Sequence, residues 1–498
     1  MYIFLRNNDY RYAAEQMLLM LFPEERPVYP SADLGLREEN AVELELKHGK
    51  TYTTAVCRLR YDRRTAQKHV RARTDGIRAG EERARIEQRI LKLAFYRAAL
   101  DVGVPKPEWG CLTGVRPAKF LAGLMQKDGL TETAAVRMLT ETFGVSKERA
   151  SLALAAERAA ARAKAVLAPQ DVCLYIGIPF CPTRCAYCSF VSVDAPKLLK
   201  SIPDYLNALE QEMRSTAAAV KAAGRRVVAV YIGGGTPTTL SAPELDRLLA
   251  DTKACFDLSA CREFTVEAGR PDTVTEEKLA VLVSHGVNRV SVNPQTMSDA
   301  VLEEIGRHHT AAQVREAVAM VKKFPQLAFN MDLIAGLPGD TPESFSDTVR
   351  EVIAPGAENI TVHTLALKKG SRFLTEGTAL PDGKAVGEML GDAREKLEAA
   401  GYAPYYLYRQ KFMSGSFENV GWTKPGYENL YNICIMEELC GILAVGAGGS
   451  TKLTAPGGVV KRLMAPKYPR EYMDRIAHTC AEKDEIVRFY NSEPKGTN

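Results

Sequence analysis

The sequence predicts an α/β fold whose main part is an incomplete parallel (β/α)6 barrel. Between residues 171 and 367, six short apolar segments alternate with amphipathic segments of helical period. Because parallel strands need long crossover connections, which helices commonly supply, this alternation indicates parallel pairing with right-handed crossovers. Six units are fewer than the eight of a closed barrel, and a doubly wound open sheet stays open as the alternative.

The positions of the reactive residues also predict a barrel, because parallel barrels carry their sites at the carboxyl ends of the strands. Each predicted strand ends in or near such residues. In chain order these are Cys181, Cys185 and Cys188, then residues 233–238 (GGGTPT), Glu267 and Arg270, Asn293 and Gln295, Asp332, and His363.

Residues 1–165 are predicted to form an accessory mixed α+β domain rich in helices. Alternating residues indicate a strand at 1–5 and a hairpin around His48 and Gly49. Apolar residues at spacings of three and four predict helices over 12–21, 81–103, 131–144 and 147–167, with stops at Gly103 and Gly144. The basic run 58–73 is interpreted as a solvated charged face, with a phosphate or acidic-partner contact as the alternative.

Residues 166–375 are predicted to be the barrel domain, and residues 376–498 an α+β extension that covers the substrate. The six strands are expected at 172–180, 227–235, 263–269, 289–295, 329–338 and 359–367. Helices are expected from Asp204, Ala242 and Glu276, on both sides of His308 and His309, and near Glu343.

The charge balance argues against nucleic acid or a membrane as the partner. The chain has 65 basic and 61 acidic side chains, a formal net charge of +4. No apolar run reaches the roughly 18 to 20 residues of a membrane helix, and the first residues lack the pattern of a signal peptide. With eleven cysteines, an odd number, the sequence predicts a reducing, cytoplasmic location.

Three cysteines stand close together in the segment IPFCPTRCAYCSF, residues 178–190. Thiolates suit iron–sulfur clusters, and three of them can hold three irons of a cubane while the fourth iron stays open. An open metal position is typical of catalytic sites. The alternatives are a zinc site completed by a distant Cys or His, or inert buried thiols; Cys255 and Cys261 are interpreted as core residues.

The glycines at 233–235 permit close backbone approach, so that an amine or ribose could lie against main-chain groups. The segment is neither a Walker loop nor a GxGxxG fingerprint. Among the histidines, His363 is a candidate acid or base, whereas His308 and His309 are interpreted as satisfied by hydrogen bonds.

These motifs resemble the radical S-adenosylmethionine (SAM) superfamily: Tyr175 and IPF before CxxxCxYC, then GGGTPT, NPQT and IGRHHT. Within it, WGCLTGVRP at 109–117 and the downstream PYYLYRQK and ENVGWTKPGYENLYN resemble the oxygen-independent coproporphyrinogen III oxidase family, in particular the HemZ-type coproporphyrinogen dehydrogenases. The resemblance spans most of the chain and implies a barrel of radical SAM type.

The resemblance implies that Cys181, Cys185 and Cys188 hold a [4Fe-4S] cluster whose open iron takes the amine and carboxylate of SAM. It also implies a set of SAM contacts: Tyr175, Tyr187, Gly234, Gly235, Thr236, Glu267, Gln295, Arg307 and Asp332. Family members can hold a second SAM, so one or two molecules are expected.

The implied reaction converts propionates of coproporphyrinogen III to vinyl groups, forming protoporphyrinogen IX in haem biosynthesis. A 5′-deoxyadenosyl radical removes a β-hydrogen, carbon dioxide leaves, and one more electron passes to an acceptor. The implied electron donor is a flavodoxin or ferredoxin. Candidate cations for the tetrapyrrole carboxylates are Arg270, Lys368, Lys369, Arg409 and Lys411.

One residue departs from the pattern of the best-known oxidases. They carry a fourth cysteine two positions after the third, where this chain has Phe190. Relatives that do not catalyse the decarboxylation share this change. The alternative functions are therefore haem binding or trafficking, or another radical SAM reaction on a tetrapyrrole.

Overall fold

The computed structural model describes residues 1–30, 40–77, 80–188, 193–194, 196–367, 371–410, 414–455 and 459–492. It divides into two compact units, Met1–Leu154 and Ala155–Asn498. The predicted domain limits at residues 165 and 375 stay predictions. Within these ranges, no helix is both long and apolar enough to cross a membrane.

The first unit contains a four-stranded sheet of order β1-β2-β3-β4. Its strands are β1 Tyr2–Arg6, β2 Ala41–His48, β3 Tyr52–Tyr61 and β4 Arg64–Arg73. β1 pairs with β2 in parallel, and the β2–β3 hairpin turns after His48 as predicted. The sequence did not predict β4, because basic side chains occupy so many of its positions that the strand alternation is weak.

The helices of the first unit begin near their predicted positions, except that the helix Pro117–Gln126 was not predicted. They are α1 Arg11–Leu21, α2 Glu81–Asp101, α3 Pro117–Gln126 and α4 Glu132–Arg137, followed by α5 Lys147–Ala165, which runs into the second unit. α2 buries an apolar face that includes Ile90 and Phe95. Gly103 and Gly144 adopt φ of +94° and +72°, the left-handed conformation that ends a helix.

Six adjacent parallel strands form the centre of the second unit and confirm the predicted strand–helix series. In spatial order they are β5 Asp171–Ile178, β8 Arg226–Gly234, β9 Glu263–Glu267, β10 Arg289–Ser291, β11 Ala328–Ala335 and β12 Asn359–Thr364. A short parallel pair, β6 Phe180–Cys181 and β7 Val193–Asp194, follows β5. The carboxyl ends of all six strands therefore lie along the same edge of the sheet.

The sheet continues on both sides of these strands with segments from the C-terminal region. β14 Asn419–Thr423 is antiparallel to β12 and to β13 Ala403–Tyr408. On the other side, β15 Gly441–Val445 pairs with β5 in parallel, followed by the antiparallel β16 Ser450–Ala455 and β17 Val459–Met464. The resulting eleven strands run from β13 to β17 without closing, which makes the barrel incomplete.

Helices connect these strands, and three more follow the last strand. They are α6 Pro196–Leu199, α7 Ile202–Ala222, α8 Ala242–Cys255, α9 Glu276–Ser284, α10 Asp299–Glu304, α11 Ala311–Val321, α12 Pro342–Ile353, α13 Arg372–Glu376, α14 Gly383–Ala399, α15 Leu430–Glu437, α16 Pro469–Asp474, α17 Ile476–Ala481 and α18 Asp484–Asn491. Ser241 and Thr310 begin α8 and α11 with capping boxes, in which the side chain accepts from the third helical N–H. The chain therefore enters both crossover helices at a defined residue.

Candidate functional site

The cysteine loop follows β5 and is held by contacts with three other segments. The Cys181 sulfur lies 3.5 Å from the Thr236 hydroxyl. At the middle of the loop, the Ala186 N–H donates to Ile305 over 3.0 Å, and the Ala186 carbonyl accepts from Arg372 over 2.9 Å. Cys181, Cys185 and Cys188 are in no disulfide and are partly exposed, so the three thiols are accessible to a metal cluster. Phe190 lies outside the described residues.

Arg270 supports this loop from the end of β9. Its buried guanidinium donates to the Thr183 hydroxyl over 2.8 Å and makes two bonds with Asp272, of 3.0 and 3.1 Å. These contacts give Arg270 a loop-positioning role, in place of the free cation that the sequence suggested for a substrate carboxylate.

Of the other predicted substrate cations, Arg409 is described, whereas Lys368, Lys369 and Lys411 lie outside the described residues. Arg409 is buried, and its Nη2 donates to the Ser416 carbonyl over 2.8 Å. Burial lowers the pKa of the Arg409 guanidinium to about 10, so the group stays charged at neutral pH.

The glycines at the carboxyl end of β8, residues 233–235, lie close to Glu267 and to the segment that leads into the cysteine loop. A Cβ on Gly235 would lie 2.5 Å from the Phe180 carbonyl oxygen, and one on Gly233 would lie 2.9 Å from the Glu267 carboxyl carbon. The N–H groups of Gly235 and Thr236 donate to Ile178 and Phe180, each over 2.7 Å. These two N–H groups are thus used by the protein's own backbone, and the contact of Gly235 and Thr236 with SAM stays a prediction.

Tyr175 on β5 and Glu267 on β9 are linked through Tyr231 on β8. The rings of Tyr175 and Tyr231 stack with centroids 6.3 Å apart, and Tyr231 Oη donates to Glu267 Oε1 over 2.5 Å. A Cβ on Gly234 would approach Tyr175 Oη to 3.2 Å. Burial, with a smaller contribution from Asp332, raises the pKa of Glu267 to about 7. The sequence analysis missed Tyr231, although its spacing of two from Gly233 places it on the same face of the strand.

Arg307 joins the cysteine loop to the ends of two strands. Its Nη1 donates to the Tyr187 hydroxyl over 2.8 Å, while Nη2 donates to the carbonyls of Gly269 and Asn293 over 2.7 and 2.9 Å. Arg307 is 5% exposed. The guanidinium therefore fixes Tyr187, and the two predicted SAM contacts form one unit.

Gln295 combines a strained backbone with an unsatisfied side chain. Its φ is +70°, a conformation that costs a non-glycine residue about 1 to 3 kcal/mol. Main-chain bonds of 2.9 Å to Asp332 and Ile334 hold this conformation. The buried side-chain oxygen has no hydrogen-bond partner among the described residues, and neither does that of Asn293. Buried polar atoms without partners are rare in folded proteins, so this pair points to a polar ligand.

His309 lies near the same residues and is not satisfied, contrary to its sequence interpretation. It is buried, and neither ring nitrogen hydrogen-bonds to a described residue. Burial, followed by the charges of Arg307 and Arg270, lowers the pKa of His309 to about 3, so the ring is neutral. His308 is exposed.

Asp332 and His363 form a polar group on β11 and β12. Their closest atoms, Oδ2 and Nε2, are 3.8 Å apart, and Asn330 donates to Asp332 Oδ1 over 2.7 Å. Burial alone would raise the pKa of Asp332, but the neighbouring His363 and the hydrogen bond from Asn330 outweigh it and hold that pKa below its usual range. Tyr408 Oη lies 3.5 Å from His363 Nδ1, which brings C-terminal strand β13 to the site.

Several known proteins are similar to this chain. Residues 175–352 match the family model of the radical SAM superfamily. The chain is 38% identical over 382 residues to the oxygen-independent coproporphyrinogen-III oxidase-like protein HemZ of Bacillus subtilis, with 76% of each chain covered. It is 32% identical over 302 residues to the heme chaperone HemW of Haemophilus influenzae, over 60% of this chain and 75% of that protein.

One solved structure supports the fold assignment. Coproporphyrinogen III oxidase (HemN) from Escherichia coli is similar with a TM-score of 0.52 at 20% sequence identity, over 66% of this chain and 81% of that chain. The similarity agrees with the open series of six parallel strands and with the cysteine loop after the first of them.

Proposed function

Because this chain belongs to the radical SAM superfamily and, within it, to the oxygen-independent coproporphyrinogen III oxidase family of HemZ type, we propose that it oxidatively decarboxylates coproporphyrinogen III. Each of two propionates would lose carbon dioxide, one β-hydrogen atom and one further electron to become a vinyl group. The observation that carries a ligand-binding role is the set of unpartnered buried polar atoms on Asn293 and Gln295, at the same strand ends as the cysteine loop.

The radical SAM domain implies a [4Fe-4S] cluster and SAM. In this proposal Cys181, Cys185 and Cys188 hold the cluster, since they are partly exposed, lie outside any disulfide and are carried by one anchored loop. The SAM contacts would be Tyr175, Tyr187, Gly234, Gly235, Thr236, Glu267, Gln295, Arg307 and Asp332, for one SAM or two. When bound, these groups would supply the radical chemistry that removes the substrate hydrogen, with electrons from a flavodoxin or ferredoxin.

The residues of the chain position these groups and receive the substrate. Arg270 and Arg307 hold the cysteine loop through Thr183 and Tyr187. Arg409 is the described candidate for a substrate carboxylate, because a buried guanidinium that stays charged suits a propionate. His363, between Asp332 and Tyr408, is the candidate acid or base in this proposal.

The affinity for SAM is expected to rise with pH because of Glu267. The pKa of about 7 means that this carboxyl is mostly protonated at pH 6 and mostly ionised at pH 8, and the ionised form is the better acceptor for SAM hydroxyl or ammonium groups. The ionised fraction rises about tenfold over this interval, so the affinity of reconstituted protein should rise by up to about tenfold. Anaerobic calorimetric titration with SAM measures it.

The matched variant for this prediction is Glu267→Gln, which keeps the shape and removes the titration. It should bind SAM with an affinity that is nearly flat from pH 6 to 8, with a cluster content equal to that of the unmodified protein. A variant that kept the full rise would show that Glu267 does not contact SAM.

The proposed reaction is tested by anaerobic incubation of the cluster-loaded protein with coproporphyrinogen III, SAM and reductant. Protoporphyrinogen IX, the vinyl product, is expected by chromatography and mass spectrometry after oxidation to the porphyrin. SAM should be consumed in step with the vinyl groups formed. Without SAM, no vinyl product should appear.

Haem binding or trafficking is the second candidate, and the similarity to heme chaperones favours it. A haem-trafficking protein would bind haem stoichiometrically and tightly, and would form no vinyl product under the same conditions. That combination would overturn the decarboxylase proposal. Phe190→Cys offers a matched comparison, since it restores the residue found in the best-known oxidases.

A further inference from the structure

A second group of three cysteines lies buried in the second unit, apart from the cysteine loop. Cys173 is on β5, Cys434 on α15, and Cys440 directly before β15. Their sulfur atoms all lie within 4.8 Å of one another, and those of Cys173 and Cys440 are 3.6 Å apart. We call this group the thiol triad. Sequence spacing could not reveal it, because Cys173 and Cys440 are 267 positions apart.

The spacing of the three sulfur atoms suits a single metal ion. A tetrahedral zinc ion with Zn–S bonds of about 2.3 Å places neighbouring sulfur atoms about 3.8 Å apart. The thiols of a cubane cluster bind different irons and must stand further apart than this. All three cysteines are free thiols, so no disulfide accounts for their approach.

The surroundings hold the triad in place. Cys173 and Cys434 are completely buried, and Cys440 is 7% exposed. Cys173 faces Ile442 across the β5–β15 pair. α15 is fixed at its start by Glu263, whose carboxylate accepts the N–H groups of Leu430 and Tyr431 over 2.7 and 3.0 Å. Two of the three ligand positions therefore lie on a strand and a helix, and the third directly precedes a strand, as suits a preorganised metal site.

An ordinary apolar core is the simpler interpretation of buried cysteines, since free cysteine packs as a small hydrophobe. The triad differs from the other buried cysteines because its three sulfur atoms lie close together. Among the residues that the structure describes, no other set of three cysteine, histidine or carboxylate ligands lies within 4.8 Å. Buried Cys57 and Cys111 belong to no such set.

We propose that Cys173, Cys434 and Cys440 bind one zinc ion as three thiolates. The ion carries two positive charges against three thiolates, so that a single net negative charge is left in the interior. Zinc sites with three protein ligands keep a fourth position for water or another small donor. The ion would link α15 to β5 and to the segment before β15. β15 is the C-terminal strand that pairs with β5.

The zinc ion would support the candidate site through aromatic contacts. Tyr431, three residues before Cys434, stacks on Tyr231 with ring centroids 4.5 Å apart. Tyr231 in turn donates to Glu267. Fixing α15 therefore fixes the stack that orients Glu267, so a zinc ion at the triad would support the proposed SAM site from outside it.

The test uses the full-length chain with Cys181, Cys185 and Cys188 all replaced by alanine, so that the cysteine loop takes no metal. Protein expressed in zinc-supplemented medium should contain about one zinc per chain by mass spectrometry. X-ray absorption should show three sulfur neighbours at about 2.3 Å. Expression with cobalt should give the sulfur-to-cobalt charge-transfer absorption of thiolate ligands.

Adding Cys434→Ala to this background should remove the zinc and the cobalt absorption, whereas the matched Cys261→Ala should retain both. Cys261 is a partly buried cysteine outside the triad. Because Cys434→Ala can also unfold the chain, the zinc content and sulfur coordination of the background protein decide the proposal without it. Less than a tenth of an equivalent of zinc, or coordination without sulfur, would overturn it.

Discussion

Replacing Cys185 by alanine is expected to abolish both the iron–sulfur chromophore and the cleavage of SAM. Cys185 sits between the two other thiols of an anchored loop and is partly exposed, so alanine removes a ligand without disturbing a packed core. Two thiolates on this loop leave a second iron of the cubane unprotected. After anaerobic reconstitution, cluster content should fall from about one per chain to near zero, and 5′-deoxyadenosine should fall to background.

The matched control is Cys255→Ala, which removes a partly exposed cysteine at the end of α8, outside the site. It should keep the brown colour, the iron and sulfide content and the cleavage of SAM. A Cys185→Ala protein that kept both the chromophore and SAM cleavage would contradict the assignment of the loop as the cluster site.

Replacing Lys483 by methionine is expected to destabilise the second unit by about 3 to 5 kcal/mol. Lys483 Nζ lies 2.6 Å from Glu212 Oε1, and the Glu212 side chain is completely buried. Glu212 also accepts from the Gly446 N–H over 2.7 Å and from Tyr472 Oη over 2.5 Å. Methionine fills a similar volume but leaves the Glu212 carboxylate buried without its cation, which is why the cost is large.

Urea unfolding followed by tryptophan emission measures this loss. The matched control is Lys323→Met, since Lys323 pairs with Glu276 over 2.8 Å but both side chains are more than half exposed. An exposed pair contributes about 0 to 1 kcal/mol, so the control should unfold close to the unmodified protein. Equal effects of the two substitutions would show that Glu212 finds another partner or water when Lys483 is absent.

The series of six strand–helix units could be predicted because each unit is specified locally. Apolar runs such as residues 172–178 and 227–232 form strands β5 and β8, and the capping residues Ser241 and Thr310 begin the helices. The five C-terminal strands that extend the sheet could not be placed, because their partners lie far away in the chain. β15, for example, pairs with β5 across more than 260 positions.

In the candidate site, too, some residues could be predicted from the sequence and others only from the structure. The cysteine loop, the glycines and Glu267 could be found by spacing and by their positions after strands. The role of Arg270 depends on Thr183, which is 87 positions away, and that contact exists only in the folded chain. The unsatisfied state of His309 and Gln295 also follows from burial, which depends on packing and has no signature of its own in the sequence.

The sequence by itself determined the class of chemistry and the order of the barrel elements. The thiolate ligands and the glycine turn each lie within a few residues of chain, as in residues 181–188 and 233–235. Their spacing in the sequence therefore predicts their role. Only the tertiary structure decided the open eleven-stranded sheet and the meeting of Cys173, Cys434 and Cys440. The physical reason is that hydrogen bonding and burial between distant segments depend on how the whole chain packs.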